Sequence, residues 1–163
     1  MGFSGEVLSV EAMLARSLAE PEQVPPPKVG LLHSASGNAA HCARLLSEGE
    51  SLESCWRFGV LQTLDDYTSS FRRGGVELGA QVFQEEVTPT GALELDAAFA
   101  ALADHLSSRD GWPTPAWALD PTRVADGWFP AVPRIFRDAA RKESPRAFRD
   151  RGIFITARSL ERA

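Results

Sequence analysis

The stretch from Gly111 to Ile155 limits what this chain can become more than any other. Three of the four tryptophans (Trp112, Trp117, Trp128) and six of the eleven prolines fall in its first 35 residues. Proline lacks an amide hydrogen and fixes φ, so no long helix or central strand runs through such a stretch. Tryptophan and phenylalanine bury large areas, and segments that stay disordered are poor in them. The combination predicts an irregular but folded segment. Its aromatics at Trp117, Trp128, Phe148 and Phe154 are expected to hold it to a body built elsewhere, where Trp56 lies.

That body reads as helical. Ser51 is placed to cap a long helix in which Leu52, Trp56, Val60, Leu64, Tyr67 and Phe71 repeat at the 3.6 period until Gly74-Gly75. Val76, Ala80, Phe83 and Val87 form a second, shorter stripe, stopped by Thr88-Pro89-Thr90-Gly91. Leu93–Ser108 follows as an amphipathic helix with Leu95, Phe99, Leu102 and Leu106 on its face, Ala98 and Ala103 allowing close contact, and Gly111 as its C-terminal stop. Upstream, Asn38–Ser47 reads as a helix with Ala39, Cys42, Ala43 and Leu46 on one side and Gly49 as its stop. Glu6–Ala19 carries Val7, Val10, Leu14 and Leu18 at helical spacing, and Pro21, Pro25, Pro26 and Pro27 make residues 20–28 a polyproline-like connector. In the C-terminal half, Pro115 opens a turn holding Trp117, and Asp120-Pro121 makes another. Val132–Lys142 is expected as a helix with Ile135, Phe136 and Ala139 inward. Ser144-Pro145 should cap a short helix with Phe148 inward and Arg146, Arg149 and Arg151 outward, stopped by Gly152. Ile153–Ile155 is short and extended, and Thr156 caps a final turn with Leu160. The fold class is mostly α: a small helical domain (29–163) with an irregular half and at most a short strand or two, preceded by an N-terminal helix and connector (1–28).

Composition narrows the setting. At 163 residues, 44% hydrophobic and 24% charged, the chain has the balance of one globular domain with a real core. Its apolar runs are cut by charge every few residues, so no membrane span is expected. The N-terminus, with Glu6 and Glu11, does not read as a signal peptide, and the expected location is a bacterial-type cytoplasm. Cys42 and Cys55 are expected as buried small apolar residues. The net charge of −5 is unevenly divided. Residues 134–163 hold nine basic and four acidic residues, whereas the first 133 hold eight basic and 18 acidic. Such a division marks either two electrostatic faces meeting partners or an acidic body that neutralises a basic tail within the monomer.

Few residues point to a reaction. His33, His41 and His105 have no metal-ligand spacing with the cysteines, and His105 is expected on the solvated side of its helix. The adjacent acids Asp65-Asp66 and Glu85-Glu86 point about 100° apart on a helix, a poor arrangement for sharing a proton or a metal. No nucleophile elbow is present. Ser34–Gly37 lacks the glycine pairs or the lysine-serine ending of a phosphate cradle and reads as a loop with a serine N-cap. An enzyme using His33, Ser34 and Ser36 is a disfavoured rival. No catalytic residue, metal ligand or cofactor is expected. Arg146, Arg149, Arg151 and Arg158 are the candidate partner-binding residues, since guanidinium forks recognise carboxylates and phosphates.

The order Leu95–Leu106, Pro113-Thr114-Pro115-Ala116-Trp117, Trp128-Phe129, then Ser144-Pro145-Arg146-Ala147-Phe148-Arg149-Asp150-Arg151-Gly152-Ile153-Phe154 resembles a family of small bacterial proteins. Members are encoded beside nucleotidyltransferase-like toxin proteins and treated as antitoxins. The resemblance covers residues 56–163 and leaves residues 1–50 unmatched. It implies a non-enzymatic protein partner of a neighbouring enzyme, with no catalytic residues to carry over, and structural roles for Trp117, Trp128, Phe148 and Phe154. The alternatives are a nucleic-acid-binding regulator using the basic C-terminal face and a structural subunit of a larger assembly.

Overall fold

A computed structural model describes residues 9–11, 14–15 and 32–161. Within them the chain is mostly α-helical and forms no strand ladder. The helices are α1 (Ala35–Ser47), α2 (Leu52–Cys55), α3 (Gln62–Gln81), α4 (Leu93–Asp110), α5 (Arg137–Glu143) and α6 (Arg146–Arg149). A π-helical stretch, Trp56–Leu61, joins α2 to α3, and 3₁₀ turns lie at Ala116–Leu119, Arg134–Phe136 and Ala157–Leu160. No helix among the described residues is long and apolar enough to cross a membrane. The expected N-terminal helix falls largely outside the described residues; where described, residues 10–11 and 14–15 are helical, with Val10 and Leu14 exposed. The proline connector lies outside them altogether.

Helix α4 is the axis. It is buried on every side, not on one stripe: Ala97, Ala98, Ala100, Ala101 and Ala103 are as covered as Leu95, Phe99, Leu102 and Leu106. This corrects the amphipathic reading. Alanine adds little to a count of large apolar side chains, yet it lets α1, the π-helical stretch, α3, α6 and the Ala116–Leu119 turn all approach one helix. Gly111 ends α4 as expected, in the left-handed conformation (φ 78°, ψ 34°), with its N–H on Ser107 O at 2.9 Å.

The long helix after Ser51 is less regular than its period predicts. Ser51 caps it, accepting the Ser54 amide at 3.1 Å. Trp56, Val60, Leu64 and Tyr67 face inward, but Phe71 is 36% exposed and a turn of π-helix intervenes. Gly59 in that turn lies against α1: a Cβ there would stand 2.1 Å from Cys42 Sγ. Cys42 and Cys55 are both buried and unbonded to each other, and each thiol points at the other's carbonyl, at 3.6 and 3.8 Å. Burial pushes the Cys42 thiol up to about 12, so neither packing nor acidity favours reaction. Downstream, α3 breaks at Gly75 (φ 70°, ψ −163°), as the glycine pair implied. Of the second stripe, Phe83 and Val87 are buried as expected and Ala80 is half-buried, but Val76 is 37% exposed, and Leu78 and Val82 are buried beside them. Helix α1 also starts a turn early. Ala35 opens it, with Ser34 accepting the Gly37 amide, so Ser34–Gly37 is a helix start and not a loop.

The Trp/Pro segment is irregular and folded. Trp117 is 8% exposed and donates Nε1–H to Phe83 O at 3.0 Å. Trp56 is 2% exposed and meets Trp128 edge-on (5.8 Å, 88°) and Phe148 (6.4 Å, 78°). Phe154 is half-buried against Phe129, with ring centroids 5.1 Å apart. Residues 125–128 and 151–154 run side by side: Ala125 donates to Arg151 O, Trp128 to Gly152 O and Phe154 to Trp128 O, each at 2.8 Å. The short extended piece is thus one parallel bridge, Trp128 with Ile153. Truncating Trp128→Ala leaves those backbone bonds but removes the lid over Trp56. We expect a loss of about 2 kcal/mol, roughly 4–8 °C in melting temperature by calorimetry.

Other expectations in this half are corrected. Ile135 and Phe136 are exposed, not inward; Val132 and Ala140 are the buried residues. Residues 129–132 turn through a left-handed Ala131 and Pro133 is extended (φ −57°, ψ 148°), so helical structure begins only at Arg134, with Val132 and Ala140 on its buried side. Ser144 does not cap α6. Its hydroxyl donates to Ile153 O at 3.0 Å and accepts the Ile155 amide at 3.4 Å, pinning the extended piece instead. His105 is not solvated: it is half-buried, edge-on to Phe148 at 6.1 Å, and burial followed by the nearby Arg109 charge pushes its pKa down.

Candidate interaction site

Of the four arginines singled out by sequence, two are committed to the fold. Arg151 lies buried and does not point outward. It donates from Nη1 to Asp104 Oδ2 at 2.9 Å and to Ala147 O at 2.8 Å, and from Nη2 to Ala118 O at 2.7 Å. Arg146 reaches the other Asp104 oxygen at 2.9 Å and, more loosely, Asp150 at 3.4 Å. Burial by itself would raise the Asp104 carboxyl; hydrogen bonds from Arg151 and then Arg146 overcome it and hold the pKa below the usual carboxylate range. One acid of α4 therefore ties α6 and the Ala116–Leu119 turn to the axis. Arg149 and Arg158 are exposed.

Other cations make the basic surface. Arg137 and Arg141 stand over the Phe129 ring at 5.0 and 5.1 Å, and Arg141 also faces Phe154 at 5.9 Å. These stacking contacts fix arginine planes that would otherwise wander. Glu143 Oε2 accepts the Ala157 amide at 2.9 Å, which brings the turn carrying Arg158 to the end of α5. Within the run sit Ile135, 82% exposed, and Phe136, 52% exposed, between Arg134 and Arg137. Sequence reasoning placed these two in the core. Their signal was Pro133, which resets the helix phase just ahead of them.

Beside this surface the backbone departs from ordinary geometry twice. The π-helical stretch presents Phe58, 54% exposed, outward from the turn whose Gly59 faces the core. Ala131 adopts a left-handed φ of 51°, uncommon for a residue with a Cβ, and its amide is held by Glu53 Oε2 at 2.6 Å. Between them runs an open groove of about 380 Å³, lined by Ser54, Arg57, Phe58, Leu61 and Ala131 among others. π-Turns and strained backbone recur at functional sites.

Two further polar groups are engaged within the fold. Asn38 and Gln62 donate to opposite oxygens of Asp66 at 2.8 and 3.1 Å, so that acid is engaged within the fold. Tyr67 donates to Asp110 at 2.6 Å and accepts Trp112 Nε1–H at 2.9 Å, linking α3 to the end of α4. No group of three or more metal-ligating side chains lies together among the described residues. Taken together these features define a small, mostly α-helical domain whose unusual surface is basic and apolar at once. No family model, curated protein or solved structure matches the chain.

Proposed function

We propose that the protein is a non-enzymatic protein-interaction module, an antitoxin-like partner of a bacterial enzyme encoded beside it. The observation that carries this is the pair Ile135 and Phe136, 82% and 52% exposed, set among Arg134, Arg137, Arg141 and Lys142. Two large apolar side chains held in water at the centre of a cation set suit a protein surface with apolar contacts and carboxylates at its rim. The cations would speed and orient encounter with an acidic partner, and the apolar pair would supply the burial. The ordered motifs of the C-terminal half, Pro113–Trp117, Trp128-Phe129 and Ser144–Phe154, point the same way through their likeness to antitoxin-like proteins.

Co-expression with the product of the adjacent gene, followed by size exclusion, tests the reading. Co-elution is expected, and Ile135→Asp should abolish it while changing stability by no more than about 0.5 kcal/mol, as for an exposed position. If the two proteins never co-elute and the neighbour is harmless alone, the proposal is lost. Gel shifts with duplex DNA across a salt series address the nucleic-acid rival: binding that weakens steeply with salt would move the cation set to phosphate recognition.

A further inference from the structure

We infer that Arg137 and Arg141 form a paired guanidinium site for a phosphomonoester dianion, the group carried by a phosphorylated side chain or a free phosphate ester. The inference goes beyond the interaction-module reading and stands without it. Its platform is the backbone seam of the C-terminal half. Trp128 donates to Gly152 O and Phe154 to Trp128 O, so Phe129 and Phe154 leave adjacent chains, and their ring centroids lie 5.1 Å apart. Arg137 and Arg141, one helical turn apart in α5, both face the Phe129 ring, with guanidinium carbons 5.0 and 5.1 Å from its centroid. Arg141 faces Phe154 as well, at 5.9 Å. Both arginines are exposed, so their long side chains can close on one tetrahedral anion from a shared aromatic base.

What these arginines leave unused decides the ligand. A cation–π contact holds a guanidinium without satisfying its N–H donors, as hydrogen bonds to oxygen would. The Arg137 guanidinium makes no hydrogen bond or ion pair among the described residues. That of Arg141 reaches only Asp138 among them, at 3.9 Å, and the Asp138 side chain is 94% exposed, so the contact is weak. Arg151 is the contrast, with its donors spent on Asp104, Ala147 O and Ala118 O. The nearby acids do not cancel the pair. Residues 134–143 hold four cations (Arg134, Arg137, Arg141, Lys142) against Asp138 and Glu143, which leaves two positive charges after both acids are counted in full. A phosphomonoester brings about −1.5 to −2 charge at neutral pH and three acceptor oxygens, enough for two forks at once. A carboxylate brings one charge and fills one fork. The phosphodiester of a nucleic acid also brings only one.

The arginine Nε–H resonances of the full chain, followed by NMR, test this directly. The ligands are a short Gly/Ser peptide with one phosphoserine, the same peptide with serine or glutamate at that position, and inorganic phosphate. The phosphopeptide should shift the Arg137 and Arg141 resonances together and saturably, at least tenfold more tightly than the glutamate peptide, and the serine peptide should shift neither. Inorganic phosphate should shift the same two resonances. Affinity equal to the phosphopeptide's assigns the site to free phosphate esters and weaker affinity assigns it to a phosphorylated protein segment; both support the pair. Arg137→Lys and Arg141→Lys keep the charge but lose the planar fork. Each should weaken the phosphopeptide at least tenfold with unchanged melting, whereas Arg149→Lys should not. No saturable shift, equal binding of phosphoserine and glutamate peptides, or indifference to both lysine variants would overturn the inference. So would duplex DNA that shifts Arg149 and Arg158 as strongly as the pair, the pattern of diffuse attraction to a phosphodiester backbone. The two proposals fail separately. Co-elution with the neighbour that Ile135→Asp abolishes, without any phosphate response, sinks the paired site alone. Phosphopeptide binding as expected without co-elution sinks the antitoxin-like reading alone.

Discussion

Asp104→Ala should destabilise the protein by about 3–5 kcal/mol, the range for removing one partner of a buried ion pair. The magnitude follows from what is left behind. Arg151 would keep its buried position with carbonyls of Ala147 and Ala118 for company but no anion to balance it. A cation in a site of low dielectric is far worse off without its counter-charge than with it. Arg146 would lose the same partner, but its side chain is 57% exposed and water screens it, so Arg146→Ala should lose less than about 1 kcal/mol. Urea denaturation midpoints of the two variants separate these contributions. Equal losses would mean that Asp104 acts through Arg146 and that the buried pair is worth little. The pH dependence has a definite sign. The folded Asp104 carboxyl titrates below its unfolded value, so its contribution is fully present above the unfolded pKa of about 3.9 and disappears as pH falls through the folded one. The gap between wild type and Asp104→Ala should be constant near neutrality and close in acid.

That ion pair also marks where reading the chain by itself stops. Several caps and stops were legible because each depends on one residue and its neighbours (Ser51 before α2, Gly75 in α3, Gly111 after α4), whereas the Ser144 hydroxyl was drawn off by Ile153 and Ile155. Arg151 and Asp104 are 47 residues apart, and nothing in the local pattern around either says that they meet. The alanines of α4 misled for a different reason. Periodicity weighs large side chains, and a helix wrapped on all sides by close neighbours hides its small residues from that count. At Ile135 and Phe136 the spacing was sound but the phase was not, because Pro133 sets where helical structure begins. The candidate groove was still less accessible. A π-turn and a left-handed Ala131 have no strong sequence signature. The basic character of the C-terminal region was plain in the sequence; which of its arginines remain exposed was not.

Gly152→Ala is expected to lose about 3–5 kcal/mol, more than truncating the partly buried Trp128, although it adds a single methyl group. Two effects act together. Gly152 has φ 70°, where a Cβ costs about 1–2 kcal/mol through contact with the following carbonyl. The same Cβ would stand 2.1 Å from Ala125 O and 3.0 Å from its carbon, and backbone cannot swing aside as a side chain can. Forcing atoms into a filled space adds roughly 1–3 kcal/mol. The relief available is to part the two chains, and that breaks the bonds of Ala125 to Arg151 and Trp128 to Gly152. Once they part, Trp128 lifts from Trp56 and Arg151 is drawn from Asp104, so the damage spreads from one glycine to both anchors of the C-terminal half. The distinguishing measurement is hydrogen exchange. Gly152→Ala should release the Trp128 and Phe154 amides together while those of α4 stay protected. Protection at Trp128 and Phe154 equal to wild type, with an unchanged melting temperature, would show that the Trp/Pro segment is held by its aromatic side chains alone and that the backbone seam is incidental.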